Sequence, residues 1–167
     1  GKILISEYIL DTLQVDVGND WLSGSAPAFI FVDFPSNQNP TFRLTSNLQG
    51  LEVRLPDIGW KKNQAALASL EVLGNINEGL RYDKFIVSGE DLEVNVTVKD
   101  NKTFEVERLL RADILDVSGL VSEDGLKITG GEFNLANYLK FIEPNSERNE
   151  GVPVAIDLDT IHITESF

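Results

Sequence analysis

A chain of 167 residues, 42% hydrophobic and 25% charged, is about the size of one domain and too apolar to stay disordered. Its 27 acidic against 14 basic residues give a net charge of −13, which argues against a nucleic acid partner and against flat adsorption on an anionic membrane. Without cysteine it forms neither disulfides nor thiolate metal sites, and its longest apolar run, residues 26–32, is far short of the ~20 residues of a membrane helix.

Gly1 reads as a cloning remnant, Met is absent, and no signal peptide is evident. The expectation is a single β-rich segment, residues 1–167, excised from a longer protein.

Apolar and polar side chains alternate along almost the whole chain, the period of a strand with one wet face. Strands are predicted at residues 2–6, 11–17, 28–34, 41–46, 51–55, 68–76 and 81–88. Further strands follow at 92–99, 103–107, 114–118, 126–132 and 152–164. In the second of these, Leu13, Val15 and Val17 alternate with Thr12, Gln14 and Asp16. In 51–55, Leu51, Val53 and Leu55 point one way, Glu52 and Arg54 the other. Alternation is cleanest in 92–99, where Leu92, Val94, Val96 and Val98 oppose Glu93, Asn95, Thr97 and Lys99. Near the end, Val154, Ile156 and Leu158 share a face, and then the apolar set moves to Ile161 and Ile163. That slip predicts a bulge near Asp159–Thr160.

Turn chemistry separates the runs. Leu22–Ser25 reads as a turn, Lys99–Lys102 as a hairpin, and Asn37–Pro40, Glu123–Gly125, Gly130-Gly131 and Pro144–Gly151 as breaks. One helix is predicted: after Asn134 as N-cap, Leu135, Tyr138, Leu139 and Ile142 have helical spacing, and Pro144 stops it. Residues 62–68 read as another turn or two of helix.

So little helix cannot cover so much apolar strand surface. The expected fold class is all-β, mainly antiparallel: a long curled sheet forming a trough, with one short helix. A closed β-sandwich is the alternative.

Chemistry-bearing patterns are sparse. His162, the only histidine, lies between Ile161 and Ile163 and reads as a solvent-facing strand residue rather than a base. No Ser occupies a nucleophile-elbow setting, and Gly130-Gly131 lacks a phosphate-loop context. Asp157, Asp159 and the group Asp16–Asp20 read as solvated acids rather than a calcium site. Trp60, beside Lys61 and Lys62, suits either a water–lipid boundary or ordinary loop packing. Phe29, Phe31, Phe42, Phe85 and Phe104 read as core or trough lining.

Two stretches carry a family resemblance. Residues 44–72, LTSNLQGLEVRLPDIGWKKNQAALASLEV, resemble a recurring element of the AsmA-like superfamily, particularly its YhdP-type branch. That element is a strand, S-x-L-x-G-L, a second strand to L-P, a loop with a Gly and a Lys, and a further strand. Ser46, Leu48, Gly50, Leu51, Leu55, Pro56, Gly59 and Lys61 match it; Trp60 interrupts the Gly-Lys adjacency, and Asp57-Ile58 replaces the usual small-Pro pair. Residues 128–141, ITGGEFNLANYLKF, are similar to the family's x-G-x-x-L-D-L-x-x-W/Y-L unit.

The resemblance implies a segment of an envelope protein of a Gram-negative bacterium. Such a protein is anchored in the inner membrane and extends through the periplasm. Its apolar groove shields phospholipid acyl chains on the way to the outer membrane. No enzyme activity and no cofactor are implied. The partners would be phospholipid acyl chains and neighbouring β-segments of the same full-length protein, and open sheet edges would make the isolated piece prone to dimerise. The residues expected to line the groove are Leu51, Val53, Leu55, Leu70 and Val72, then Leu92, Val94, Val96 and Val98, and finally Val154, Ile156 and Leu158. The alternative is a β-sandwich adhesion or assembly module that binds a protein partner, with calcium in its acidic loops.

Overall fold

The computed structural model describes residues 1–6, 21–55, 58–140 and 154–163. The strand expected at 11–17, the group Asp16–Asp20, Pro56, Ile142 and the break Pro144–Gly151 lie outside the described residues. Contacts gather the chain into two compact units, Gly1–Pro56 with Trp60–Glu90, and Asp57–Gly59 with Asp91–Phe167.

The first unit contains β1 (Lys2–Ser6), β2 (Leu22–Asp33), β3 (Thr41–Ser46), β4 (Leu51–Leu55), β5 (Trp60–Lys62), β6 (Ser69–Ile76) and β7 (Leu80–Gly89). All its pairings are antiparallel, β1 on one edge of β2 and β3, β6 and β7 following on the other. β4 continues along the edge of β2 that β3 occupies: Ser46 opposes Ala28 and Leu51 opposes Gly24, so five steps of one strand match four of the other. On the far side β5 pairs with β4 as β6 pairs with β3. Residues 41–76 therefore form one long hairpin interrupted midway, at 47–50 on one arm and 63–68 on the other.

The interruption completes the core. Phe42, Leu44 and Val72 cover one sheet face with Ala26 and Ala28, and Leu48, Leu51 and Ala68 from around the interruption close over them. Phe42 meets Tyr82 edge-on at 5.9 Å.

The second unit holds β8 (Leu92–Asp100), β9 (Thr103–Arg111), β10 (Leu115–Ser122), β11 (Gly125–Asn134), α1 (Leu135–Tyr138), β12 (Val154–Ile156) and β13 (Thr160–His162). β8 to β11 form an antiparallel meander, and β12 and β13 lie parallel to β11 at its outer edge. Among the described residues neither unit's strand order closes on itself. The protein is all-β and mainly antiparallel, with open sheets and one short helix; the closed sandwich is not what forms.

Several local expectations hold. Asp100 opposes Thr103 across the hairpin. Asn134 caps α1, its Oδ1 accepting the Asn137 amide at 3.0 Å. Where one strand with a bulge near Asp159–Thr160 was expected, the strand instead breaks between Ile156 and Thr160, and Asp159 Oδ2 accepts the Gly131 amide at 2.7 Å. Gly130-Gly131, expected as a break, instead lies inside β11 at a bulge. Gly131 has φ +110°, and a Cβ there would lie 2.1 Å from the Asp116 carbonyl oxygen.

Other expectations are corrected. Leu22–Ser25 is no turn but the start of β2, its Gly-Ser composition serving a close approach to β4. Residues 62–68 form no helix, because Lys62 ends a strand and the Asn63 side chain takes the Ala66 amide in a turn. Trp60 is buried in β5, its indole N–H donating to the Glu90 carbonyl at 2.8 Å, so it is packing and not a boundary residue. Phe29 and Phe31 are 50% and 60% exposed because Ala28 and Ile30 take the inward parity of β2.

Candidate functional site

Cross-strand register shows which side chains share a face, because directly opposed residues project to the same side. In the second unit this brings apolar residues from successive strands into rows. Leu92 opposes Arg111, which opposes Leu115, then Phe133 and Ile161. Val94 is followed by Leu109 and Val117; Val96 by Val106, Gly119, Ile128 and Ile156; Val98 by Phe104, Val121 and Leu126.

This face is only partly covered. Leu92 and Val117 are buried, whereas Val94, Val96 and Val98 are half-buried and Ile156 and Ile161 are 61% and 54% exposed. The first unit's apolar face differs because its hairpin interruption supplies Leu48 and Leu51 as a lid. At the Leu92 end the buried Ile114 and α1 close the second unit's sheet, with Tyr138 tilted on Phe133 at 5.2 Å.

The opposite face is polar and ion-paired. Arg108 forks between Asp116, at 3.0 and 2.8 Å, and Glu93, at 2.9 Å. That hydrogen-bonded fork holds the Asp116 carboxyl below its usual range and raises Arg108. Lys99 pairs with Glu105 on the same side. A depression of about 440 Å³ lies here, lined by Leu110, Asp116, Glu132, Asn134 and His162 among others. His162 reaches Glu132 at 3.7 Å and faces away from Ile161, as its strand position predicts. Among the described residues no three His, Asp or Glu side chains are placed to hold a metal.

The residues expected to line a groove fall into two sets. Leu92, Val94, Val96, Val98 and Ile156 share the apolar face of the second unit. Val154 opposes Leu126 in register, and Leu158, between β12 and β13, is half-buried. In the first unit Leu51 and Val72 are core, Val53 and Leu70 pack against them, and the half-buried Leu55 opposes Trp60. Phe104, read as lining, lies on the second unit's face, and Val106, Leu109, Phe133 and Arg111 join it without having been read from the sequence. Pairing of each strand with its neighbour is the signal that finds them.

The lysine of the 44–72 element also has a definite place. Lys62, not Lys61, is buried, and its ammonium donates to the carbonyls of Leu48, Leu51 and Asn63 at 2.7, 2.8 and 3.1 Å. No protein-family model, curated protein or solved structure matches this chain.

Proposed function

We propose that the apolar face of the second unit shields phospholipid acyl chains, as one segment of a periplasmic lipid conduit of the AsmA-like kind. The observation that carries the reading is the incomplete burial of apolar side chains in rows across β8, β9, β10 and β11. Apolar surface left in water forfeits about 25 cal/mol per Å², so a face this continuous favours an apolar occupant.

Its dimensions suit one. From Leu92 to Val98 the strip runs about 20 Å at ~3.3 Å per residue, against a leaflet hydrocarbon depth of roughly 15 Å. Acyl chains need a continuous apolar strip and few directed polar groups, and the polar groups here sit on the other face. The reading involves no catalytic step and no cofactor. β12 and β13, with Ile156, Ile161 and Ile163 exposed, form the edge at which a neighbouring β-segment would add, or a second copy of the isolated chain.

A photoreactive amino acid at Val94 tests this, with Glu93 as the opposite-face control. The protein is incubated with vesicles of phosphatidylethanolamine and phosphatidylglycerol, then irradiated. Phospholipid adducts are expected at Val94 and not at Glu93. Adducts to protein alone, or equal labelling at both positions, would overturn the reading and favour the assembly module.

A further inference from the structure

We propose that a phospholipid lies on this face in one direction only, with its acyl chain ends against the closed Leu92 end and its headgroup at the hairpin tips beyond Val98. The inference rests on the acyl-binding reading above and adds a direction to it.

The two ends of the rows differ in burial. Leu92, Ile114 and Val117 are buried, and Tyr138 of α1 packs on Phe133 at the same end. At the other end Val98, Phe104, Val121 and Leu126 are each only partly buried. Along the strands, then, the strip runs from a closed end to an open one.

The ends differ in charge as well. Arg111 is the one charged side chain in the apolar rows among the described residues, and it belongs to the closed end. Its side chain is 13% accessible and already engaged by Asp91. Beyond Val98 the charged residues are exposed to water: Asp100 and Lys102 at the tip joining β8 to β9, Glu123 and Asp124 at the tip joining β10 to β11. Lys102 Nζ reaches Glu123 Oε1 at 2.5 Å, so an ion pair links the two tips across the open end.

A phospholipid has the same asymmetry. Its phosphate keeps its hydration among exposed charges and would lose it in the closed end, where the only cation is taken. Its terminal methyls gain most where water is most fully excluded, beside Leu92 and Val117, and least among hydrated tips. Both effects favour the same direction, which makes the Val98 end the place where acyl chains enter and leave.

Two photoreactive phosphatidylcholines test this, one with a diazirine at the end of an acyl chain and one with it beside the ester. Each is bound to the 167-residue protein and irradiated, and the adducts are mapped by peptide mass spectrometry. The chain-end probe is expected to label residues 109–117 about tenfold more than residues 98–104, and the ester probe the reverse, the ratio that follows from burying one unpaired polar group. Equal labelling of the two stretches by either probe, or the opposite order, overturns the direction while the acyl reading stands. Adducts from neither probe remove the acyl reading itself, and this inference with it.

Discussion

Lys62 shows how a charged residue becomes structural. Its three ammonium protons meet three backbone carbonyls, those of Leu48 and Leu51 beside the interruption and that of Asn63. Burial pushes its pKa below the ordinary lysine value, and the carbonyl dipoles offset part of that cost. Lys62→Met would take the ammonium from the Leu48, Leu51 and Asn63 carbonyls, of which Leu48 keeps the Leu51 amide, a loss of about 2–3 kcal/mol read from urea denaturation. Lys61→Met, at an exposed side chain 3.6 Å from Glu52, should change stability by no more than about 0.5 kcal/mol. Equal effects at the two positions would show that the carbonyl cage contributes nothing. Asp116 provides the acid counterpart. Its carboxyl is depressed by Arg108, as Glu52 is by Arg54 and Asp100 by the Lys102 amide. A depressed carboxyl stabilises the fold above its ordinary pKa of 3.8, and that contribution is lost as the pH falls through the lower folded value. Asp116→Asn should therefore flatten the acid limb of a stability–pH curve below about pH 4 and lower stability at neutral pH by the same small amount, the half-exposed pair being screened. An acid limb as steep as that of the wild type would assign the acid sensitivity to other carboxylates.

At the scale of elements, the interrupted hairpin depends on two glycines that face each other across β2 and β4. Gly24 and Gly50 have φ of +91° and +101°, and a Cβ on either would lie 2.3 Å from a backbone oxygen of the opposing strand. Gly50→Ala is expected to lower stability by about 2 kcal/mol or more, since backbone strain and a backbone clash add. Gly79→Ala, with φ +144° and nothing within 4 Å, carries the strain alone and should cost less in the same thermal melts. Reversal of that order would mean the strands can part without penalty. These glycines also mark where sequence reading stops. Alternation located β3, β4 and β8 because each has one wet and one dry face, and Asn134 could be read because a cap is a local hydrogen bond. Leu22–Ser25 could not be read as strand, because its reason for being extended lies in Gly50, far along the chain. Parity has the same limit. Ala28 with Ile30 and Phe29 with Phe31 are both apolar pairs, so composition alone could not say which turns inward. Arg111 was missed for a plainer reason: the alternation fades after Glu107, whereas pairing with β8 and β10 carries β9 on to Arg111.

For the molecule as a whole, the second unit's apolar face separates an open sheet that accepts a ligand from a dry core. The net charge of −13 keeps such a chain soluble while leaving one face of a sheet apolar, so solubility does not require that face to be sealed. Placing a carboxylate on it is the direct test. In a sealed core, Val→Asp buries an uncompensated charge and costs several kcal/mol, enough to abolish folding of a marginally stable domain. Val96 is half-buried beside Val106, so an aspartate there can keep part of its hydration, and Val96→Asp should cost only about 1–2 kcal/mol. For a chain this size that is a fall in Tm of roughly 2–8 °C, with the transition still cooperative. Val72→Asp, in the first unit's buried core, should by contrast lose cooperative unfolding altogether. Uptake of a neutral apolar dye should fall sharply in Val96→Asp, because the charge interrupts the strip midway between Leu92 and Val98, while Thr97→Asp on the polar face leaves uptake intact. If Val96→Asp unfolds the protein as Val72→Asp does, the face is a sealed core and the lipid reading fails with it. If it folds and still takes up dye as the wild type does, the dye binds elsewhere and the rows across β8 to β11 do not form the binding surface.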